Sequence, residues 1–271
     1  MFTNIVDLHV HAAPSILPRR YTDPELLAAA RAIGVSTVAL KAHEGSTAER
    51  ARLAGPGAVG GIVLNSPVGG ANPDAVAVAA QLGGRVVWMP TVSAPAHIAS
   101  QDAALSVHRQ TTFRAVPVCD AGRLRGEWYP VLEVVAAHDM VLASGHVAMP
   151  EALALFQAAR ALGVRRFLLN HPSFPFKGWS DELAPAFRGL GAVIEIGVLA
   201  DHLAGEGPRP SATFLGCYPA DLLAFGSDLG HTAFPEYAAG IRAWLAGMVA
   251  LAGERQLEKI MTTNGRELLG L

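Results

Sequence analysis

The segment Ile5-Val6-Asp7-Leu8-His9-Val10-His11 places two histidines one residue apart at the end of a short apolar run. Alternate side chains of a β-strand face the same side of the sheet. We therefore predict a strand over 5–11 that carries His9 and His11 side by side at its carboxyl end. Two neutral imidazoles in that arrangement can hold a metal ion if further ligands arrive from elsewhere.

Short β-rich runs alternate with Ala/Leu-rich helical runs along the rest of the chain. Helix starts are marked by Asp23-Pro24, Ser46 with Glu49, Asn72-Pro73 and Pro150-Glu151, and Gly34 marks a helix end. The further predicted strands cover 36–42, 59–64, 85–90, 140–144, 166–170, 192–196 and 222–226. Eight strand–helix units predict an α/β fold, a (β/α)₈ TIM barrel, with one domain over 1–271.

The spacing is irregular between predicted strands 4 and 5, where we expect an insertion over the barrel mouth. It contains a β-like segment, 112–119, a loop rich in Gly and Arg, and a helix over 130–138. Part of it is a candidate lid. At the end of the chain, 254–269 predicts a closing helix that Asn264-Gly265 breaks or kinks.

The composition excludes several classes of protein. The 271 residues are 51% hydrophobic and 16% charged, with a net charge of −2, which gives no support for nucleic-acid binding. No apolar run is long enough to span a membrane, and the start lacks a signal-peptide pattern. Cys119 and Cys217 do not form a disulfide framework. We expect a cytoplasmic homo-oligomer whose partners are small-molecule substrates, without nucleic acid or membrane.

Barrel enzymes place their chemistry at the carboxyl ends of the strands. Candidate ligands follow several predicted strands: His9 and His11, then Lys41 and His43, then His146, His171 and Asp228. Taken singly, His146, His171 and Asp228 fit loop or helix-cap roles. Together they predict one metal site. His97, His108, His138 and His202 lack a strand-end position and fit structural roles.

This ordered set resembles the amidohydrolase superfamily of metal-dependent barrel enzymes. The resemblance rests on His9-Val10-His11, His146, His171 and Asp228 and covers nearly the whole chain. It implies one or two divalent metals, most often zinc, at these positions. It also implies that Asp228 handles the proton of the attacking water.

Lys41 is the point of departure from that resemblance. Related binuclear enzymes usually draw a carboxylated lysine from strand 4, but 87–91 offers no Lys, Glu or Cys. Lys41, on strand 2, shares parity with Thr37, Ala39 and His43, which predicts that it faces the barrel interior. One interpretation is a carboxylated Lys41 that bridges two metals. An ammonium paired with Asp228, Glu44 or Glu195, or one that binds a substrate carboxylate, is another. His43 is either a metal ligand or a substrate contact.

Substrate-binding candidates lie in the loops around the mouth. Arg19 and Arg20 follow the first strand, and guanidinium groups recognise carboxylate or phosphate. A solvated pair is the competing reading for at least one of them. His231 follows Asp228 closely enough to line the pocket. The loop 172–179 is aromatic and is either an apolar pocket wall or a packing surface.

These observations predict a metal-dependent amidohydrolase-type hydrolase that uses a metal-activated water on a C–N or C–O bond of a small molecule, such as an amide, cyclic amide, lactone or ester. A decarboxylase or hydratase of a small carboxylic acid and a phosphoesterase are alternatives on the same barrel. The non-enzyme alternative is a barrel that binds a metal or a small molecule.

Overall fold

The computed structural model describes residues 2–100, 108, 113–207 and 209–271. All eight predicted strands are present there, each buried. The strands are β1 Ile5–Val10, β2 Val35–Leu40, β3 Ala58–Val59, β4 Gly61–Val63, β5 Val86–Trp88, β6 Cys119–Asp120, β7 Arg123–Leu124, β8 Val141–Ala143, β9 Arg166–Leu169, β10 Val193–Ile196 and β11 Leu223–Phe225.

The fold is mixed α/β with parallel sheets. Within the described residues, β1-β2-β3 form one sheet and β11-β10-β9-β8-β5-β4 form another, not a single closed sheet. Buried apolar side chains on both faces explain why these strands read as continuous hydrophobic runs. A lone Gly60 separates β3 from β4. At the other edge, Asp228 N donates to His9 O over 2.7 Å and His11 N donates to Leu229 O over 2.9 Å.

Helices follow most strands and cover the sheets. Asn72 caps α3 by accepting a hydrogen bond from Ala75 N, as its sequence predicts. The helices are α1 Asp23–Arg31, α2 Ala48–Ala54, α3 Pro73–Gln81, α4 Pro95–Ala99, α5 Tyr129–Ala137, α6 Met149–Ala161, α7 Ala184–Gly189, α8 Val198–Leu203, α9 Pro210–Cys217, α10 Tyr237–Ala252, α11 Glu254–Met261 and α12 Thr263–Leu269. No helix in the described part of the chain is long and apolar enough to span a membrane.

The segment between β5 and β8 differs from its prediction. Instead of a strand over 112–119, the described residues show a short antiparallel pair, β6 with β7, around the turn at Ala121 and Gly122. The pair sits beside α6. The expected helix is present as α5. Residues 101–107 and 109–112 lie outside the described part, so the lid remains a prediction.

The break in the C-terminal helix is also displaced from its prediction. It falls at Thr262, between α11 and α12, whereas Asn264 and Gly265 lie inside α12. Tertiary contacts explain this. Asn264 Nδ2 donates to Ala220 O and Leu223 O, and a Cβ on Gly265 would stand 2.9 Å from Val6 Cγ1. These two residues thus dock α12 beneath β1 and β11.

Candidate metal centre

Three side-chain atoms meet at the carboxyl ends of β1 and β11. His9 Nε2 lies 3.2 Å from His11 Nε2, and Asp228 Oδ1 lies 3.0 Å from the first and 3.1 Å from the second. His9 and His11 are buried, and Asp228 is nearly so. His9 and His11 therefore lie side by side, as the alternation of side chains along a strand predicts.

The Nδ1 atom of each of these two rings donates a hydrogen bond to an oxygen. His9 Nδ1 donates to Glu195 Oε1 over 2.8 Å, and His11 Nδ1 donates to the carbonyl of Lys41 over 2.8 Å. Arg19 Nη2 is 3.3 Å from the same His11 nitrogen, and the shorter carbonyl contact determines the tautomer. In the neutral state that a metal ion requires, both rings would direct an Nε2 lone pair at Asp228 Oδ1.

This donor set fits a metal ion. When both rings are neutral, their two lone pairs and the carboxylate oxygen lie within 3.2 Å and favour a cation between them, which is the His9 proton until a metal ion replaces it. Metal–ligand bonds of about 2.0–2.2 Å give ligand–ligand edges of about 2.8–3.1 Å at right angles and about 3.3–3.6 Å in a tetrahedron, and the edges of 3.0–3.2 Å here lie at the upper end of the first range or between the two. Nδ1 contacts to a carboxylate and a backbone carbonyl are the usual outer partners of metal-binding histidines.

His171 completes the group from β9. Ligand atoms of His9, His171 and Asp228 lie within 4.8 Å of one another and could hold a metal ion, with His171 Nε2 3.6 Å from Asp228 Oδ2. His171 and Asp228 have φ values of +49° and +52°. Non-glycine residues rarely adopt this region, and such strain is concentrated at functional sites.

Glu195 is anchored by a buried network. Its Oε2 accepts a hydrogen bond from Asn170 Nδ2 over 2.7 Å, and Asn170 Oδ1 accepts one from Gly145 N. A Cβ on Gly226 would stand 2.7 Å from the Glu195 carboxyl carbon, so glycine is needed beside it. The network joins β8, β9, β10 and β11 around His9.

Lys41 follows β2 and is buried at the centre, as its parity predicts. Its Nζ lies 3.0 Å from His9 Nε2. Burial lowers the pKa of Lys41 to about 8, although the Asp228 and Glu195 carboxylates oppose this. Within the described residues no carboxylate forms an ion pair with Lys41, so the interpretation of a direct pair with Asp228, Glu44 or Glu195 is not supported.

His146 lies beside the metal-binding group rather than within it. Its Nδ1 is 2.7 Å from His97 Nδ1, and its ring centroid is 5.3 Å from that of His171. His97 and His108 were expected to be structural, and both lie beside the candidate site. His97, in α4, stacks on His146 at 4.8 Å, and His108 packs edge-on against His43 at 4.9 Å.

His43 contacts polar residues on two neighbouring strand ends. Its Nδ1 lies 2.9 Å from Thr91 Oγ1, which also accepts a hydrogen bond from Asn65 Nδ2. In the tautomer in which the Thr91 hydroxyl donates to His43 Nδ1, the His43 proton is on Nε2. A histidine in this tautomer donates a hydrogen bond and does not ligate a metal through Nε2.

The electrostatics separate His9 from its neighbours. Burial lowers the pKa of His9, but the Asp228 and Glu195 carboxylates outweigh it and raise that pKa to about 9. Burial lowers the pKa of His171 to about 3 and holds the pKa of His11 well below its usual value. Burial raises the pKa of Asp228, yet His9 and His171 outweigh it and hold that pKa well below its usual range.

A small cavity that opens to solvent lies over these atoms. Arg19 and His231 line it, and their backbones form an antiparallel bridge. Phe174 also lines it and stacks on His171 at 4.8 Å, consistent with an apolar wall. Arg20 does not line this cavity. It donates to the carbonyls of Thr232 and Phe234 at an exposed position, which corrects its prediction as a substrate contact.

A family model described as "Family of unknown function (DUF6282)" matches residues 4–195. No curated protein matches the sequence.

Solved structures share the fold at low identity. A protein described as a 2-pyrone-4,6-dicarboxylic acid hydrolase from Pseudomonas putida has a TM-score of 0.62 and 17% identity, covering 100% of this chain and 98% of its own. An amidohydrolase from Pseudomonas aeruginosa has a TM-score of 0.60 and 13% identity, with 99% and 97% coverage. A 2,6-dihydroxybenzoate decarboxylase from Rhizobium has a TM-score of 0.59 and 15% identity, with 99% coverage of both chains.

Glu195 and Asn170 are site residues that the sequence did not assign. Glu195 is a charged residue inside an otherwise apolar predicted strand, and this pattern predicts that its carboxylate is buried against a polar partner. Asn170 directly precedes His171. No sequence pattern identifies His97.

Proposed function

We propose a function for this chain, which belongs to DUF6282, a family of unknown function: it is a metal-dependent hydrolase of the amidohydrolase type that acts on a small molecule. The observation that carries the proposal is the triangle of His9 Nε2, His11 Nε2 and Asp228 Oδ1, with edges of 3.0–3.2 Å. The outer nitrogens of both histidines are held by acceptors, so the triangle is built for a cation.

The proposal includes a (β/α)₈ barrel as one domain over 1–271. In this barrel β3 and β4 count as one strand interrupted at Gly60. The ring closes through the hydrogen bonds from Asp228 N to His9 O and from His11 N to Leu229 O, which join the segment after β11 to β1. Similar folds in a hydrolase and an amidohydrolase support this arrangement.

His9, His11, His171 and Asp228 would hold the first divalent ion, with zinc the expected metal. His146, with a carboxylated Lys41, would contribute to a second position. Carboxylation replaces an Nζ donor, now 3.0 Å from a metal-binding lone pair, with anionic oxygens. An arginine cannot make this change.

A bound divalent ion would supply Lewis acidity toward water and toward a carbonyl oxygen. Asp228 stays ionised, so it can accept the proton of the water and deliver it to the leaving group. Glu195 holds His9 in the tautomer that faces the site. His43 Nε2–H, in the same cavity, is placed to donate to a polarised substrate oxygen.

A decarboxylase or hydratase is the second candidate on this barrel, since the similar fold of a 2,6-dihydroxybenzoate decarboxylase shows that such a scaffold is not tied to hydrolysis. A phosphoesterase and a non-catalytic binding barrel are the remaining alternatives.

The experiment compares zinc-loaded wild type with Asp228→Asn on a panel of lactones, amides and imides in ¹⁸O-water. We expect ¹⁸O in a carboxylate product from the wild type and a loss of rate of about 10²-fold or more in the variant. Asp221→Asn, at an exposed ion pair with Lys259, is the matched control. Carbon dioxide release without ¹⁸O incorporation would assign the decarboxylase instead, and equal rates for wild type and Asp228→Asn would contradict the proposal.

A further inference from the structure

Arg19 has a fixed backbone and an incompletely bonded side chain. Its backbone pairs with His231, and Arg20 N donates to Gly230 O over 2.8 Å, so the loop is tied to the segment after β11. Its Nη2 lies 3.3 Å from His11 Nδ1, which places the guanidinium next to a metal-binding histidine. The side chain is therefore held where a substrate on the metal would meet it.

The Nε of Arg19 is buried without a hydrogen-bond partner in the described part of the chain. Nε and Nη2 form one edge of the guanidinium, and that edge matches the two oxygens of a carboxylate. Nη2 faces His11 Nδ1, whose proton already goes to Lys41 O, so this contact does not satisfy it. Leaving such a cation buried and unpaired is costly.

The other arginines near this loop differ from Arg19. Arg50 forms an ion pair with Asp23 at 2.7 Å and donates to the carbonyls of Ala12, Ala13 and Pro14. Arg20 is exposed, and its Nη2 donates to two carbonyls. In the described part of the chain neither of them has a buried donor without a partner, as Arg19 has at Nε.

Glu44 is the competing partner. It is close enough to oppose the fall in the Arg19 pKa, but among the described residues the two do not form an ion pair. Glu44 Oε1 accepts hydrogen bonds from Ser15 Oγ and Ile16 N, both over 2.6 Å, which fixes the carboxylate on the loop. Glu44 therefore attracts Arg19 electrostatically but does not accept a hydrogen bond from its Nε.

The remaining walls define the body of the ligand. Arg19 is a cation that lines the cavity, and Asp228 is committed to the metal group. Phe174, Leu199 and Phe234 form an apolar side. A planar or apolar body with an anionic group at one end fits both surfaces.

We propose that Arg19 binds a carboxylate of the substrate, so that the substrate class is a small organic acid with an apolar or unsaturated body and its reacting group at the metal. This inference rests on the proposed function. A guanidinium edge pairs with two oxygens of a carboxylate or of a phosphate, so binding of inorganic phosphate is measured beside binding of a carboxylate.

The test measures benzoate binding by calorimetry to metal-free and zinc-loaded protein, with benzamide as the uncharged probe and inorganic phosphate as the competing anion. We expect Arg19→Gln to weaken benzoate binding about 10- to 100-fold, with benzamide binding unaffected. Arg20→Gln, the matched control, leaves benzoate binding unchanged. Glu44→Gln leaves it unchanged or tightens it, because a competitor is removed.

Equal benzoate affinity in Arg19→Gln and wild type would overturn the proposal, as would tighter binding of phosphate than of benzoate or no benzoate binding at all. If Arg19→Gln does not fold, the Arg19 Nε–H resonance of the wild type, assigned with Arg19→Lys, gives the answer: it shifts on benzoate addition or the proposal fails. Zinc content measured on the same samples separates the two claims, since benzoate binding by metal-free protein does not depend on the proposed hydrolase.

Discussion

Glu195 Oε1 lies 2.8 Å from Nδ1 of His9, and both side chains are buried. The two residues are 186 positions apart in the sequence and join β1 to β10. This contact determines which nitrogen of His9 faces Asp228. It makes Glu195 the outer support of the candidate metal centre, although no metal contact is assigned to it.

Replacing Glu195 tests this support. We expect Glu195→Gln to lower zinc affinity about 10- to 100-fold. The amide side chain has nearly the shape of the carboxylate, but it lacks the negative charge that makes His9 Nε2 a stronger metal ligand. Competition with a chromogenic chelator measures the affinity. Glu182→Gln, at an exposed position, is the control. Wild-type affinity in Glu195→Gln would show that the contact does not tune the site.

Metal binding should release a proton from His9. With a pKa of about 9, His9 is protonated at pH 7.5, whereas His11 and His171 are already neutral. A ligand must be neutral to bind, so zinc affinity rises about tenfold per pH unit as the pH approaches 9. Calorimetry in phosphate and in Tris, which differ in ionisation enthalpy, counts the protons released. Affinity that stays constant between pH 6.5 and 8.5 would contradict this assignment.

Ionisation of Asp7 should lower the free energy of unfolding as pH rises. Burial raises the Asp7 pKa from 3.8 to about 6, although hydrogen bonds from Ser227, His9 and Tyr237 oppose it. The folded state thus holds the proton more tightly than the unfolded state. The stabilisation is complete below about pH 4 and is lost by about pH 6, a loss of about 3 kcal/mol as an order of magnitude.

Asp7→Asn removes this titration with little change in shape. The amide oxygen can accept from Ser227 N and His9 N, and the amide nitrogen faces Tyr237 Oη. Urea unfolding of metal-free proteins should show the wild type losing stability relative to Asp7→Asn from pH 4 to 6. A difference that is constant over this range would refute the assignment, and Asp221→Asn should follow the wild type throughout.

Lys41→Arg tests the carboxylated lysine. We expect wild type prepared with bicarbonate and zinc to bind more zinc per chain than wild type prepared without bicarbonate, because a carbamate adds a bridging ligand. Lys41→Arg should show no response to bicarbonate. Elemental analysis gives the zinc content. Two metals per chain in both proteins would exclude a bridging Lys41.

Local patterns predicted the strands and most ligand positions. Period-2 alternation placed His9 and His11 on one side, and strand-end positions located His171 and Asp228. The parity of Lys41 placed it in the interior. Apolar runs predicted the strand positions because parallel strands are buried on both faces.

Contacts distant in sequence explain what the sequence did not predict. The Glu195–His9 contact and the His97–His146 contact join residues 186 and 49 positions apart, and neither leaves a local motif. The helix break at Thr262 was misplaced for the same reason, because Asn264 is held in α12 by carbonyls near β11. Arg20 and Arg19 are adjacent in sequence, yet only the fold distinguishes an exposed, bonded guanidinium from one over the cavity.

Anomalous diffraction at the zinc edge from zinc-loaded crystals tests the central claim most directly. The account predicts a peak about 2.0–2.2 Å from His9 Nε2, His11 Nε2 and Asp228 Oδ1, with His171 in the same coordination sphere. A fully loaded crystal with no peak at this position, or with its zinc bound elsewhere, would contradict it.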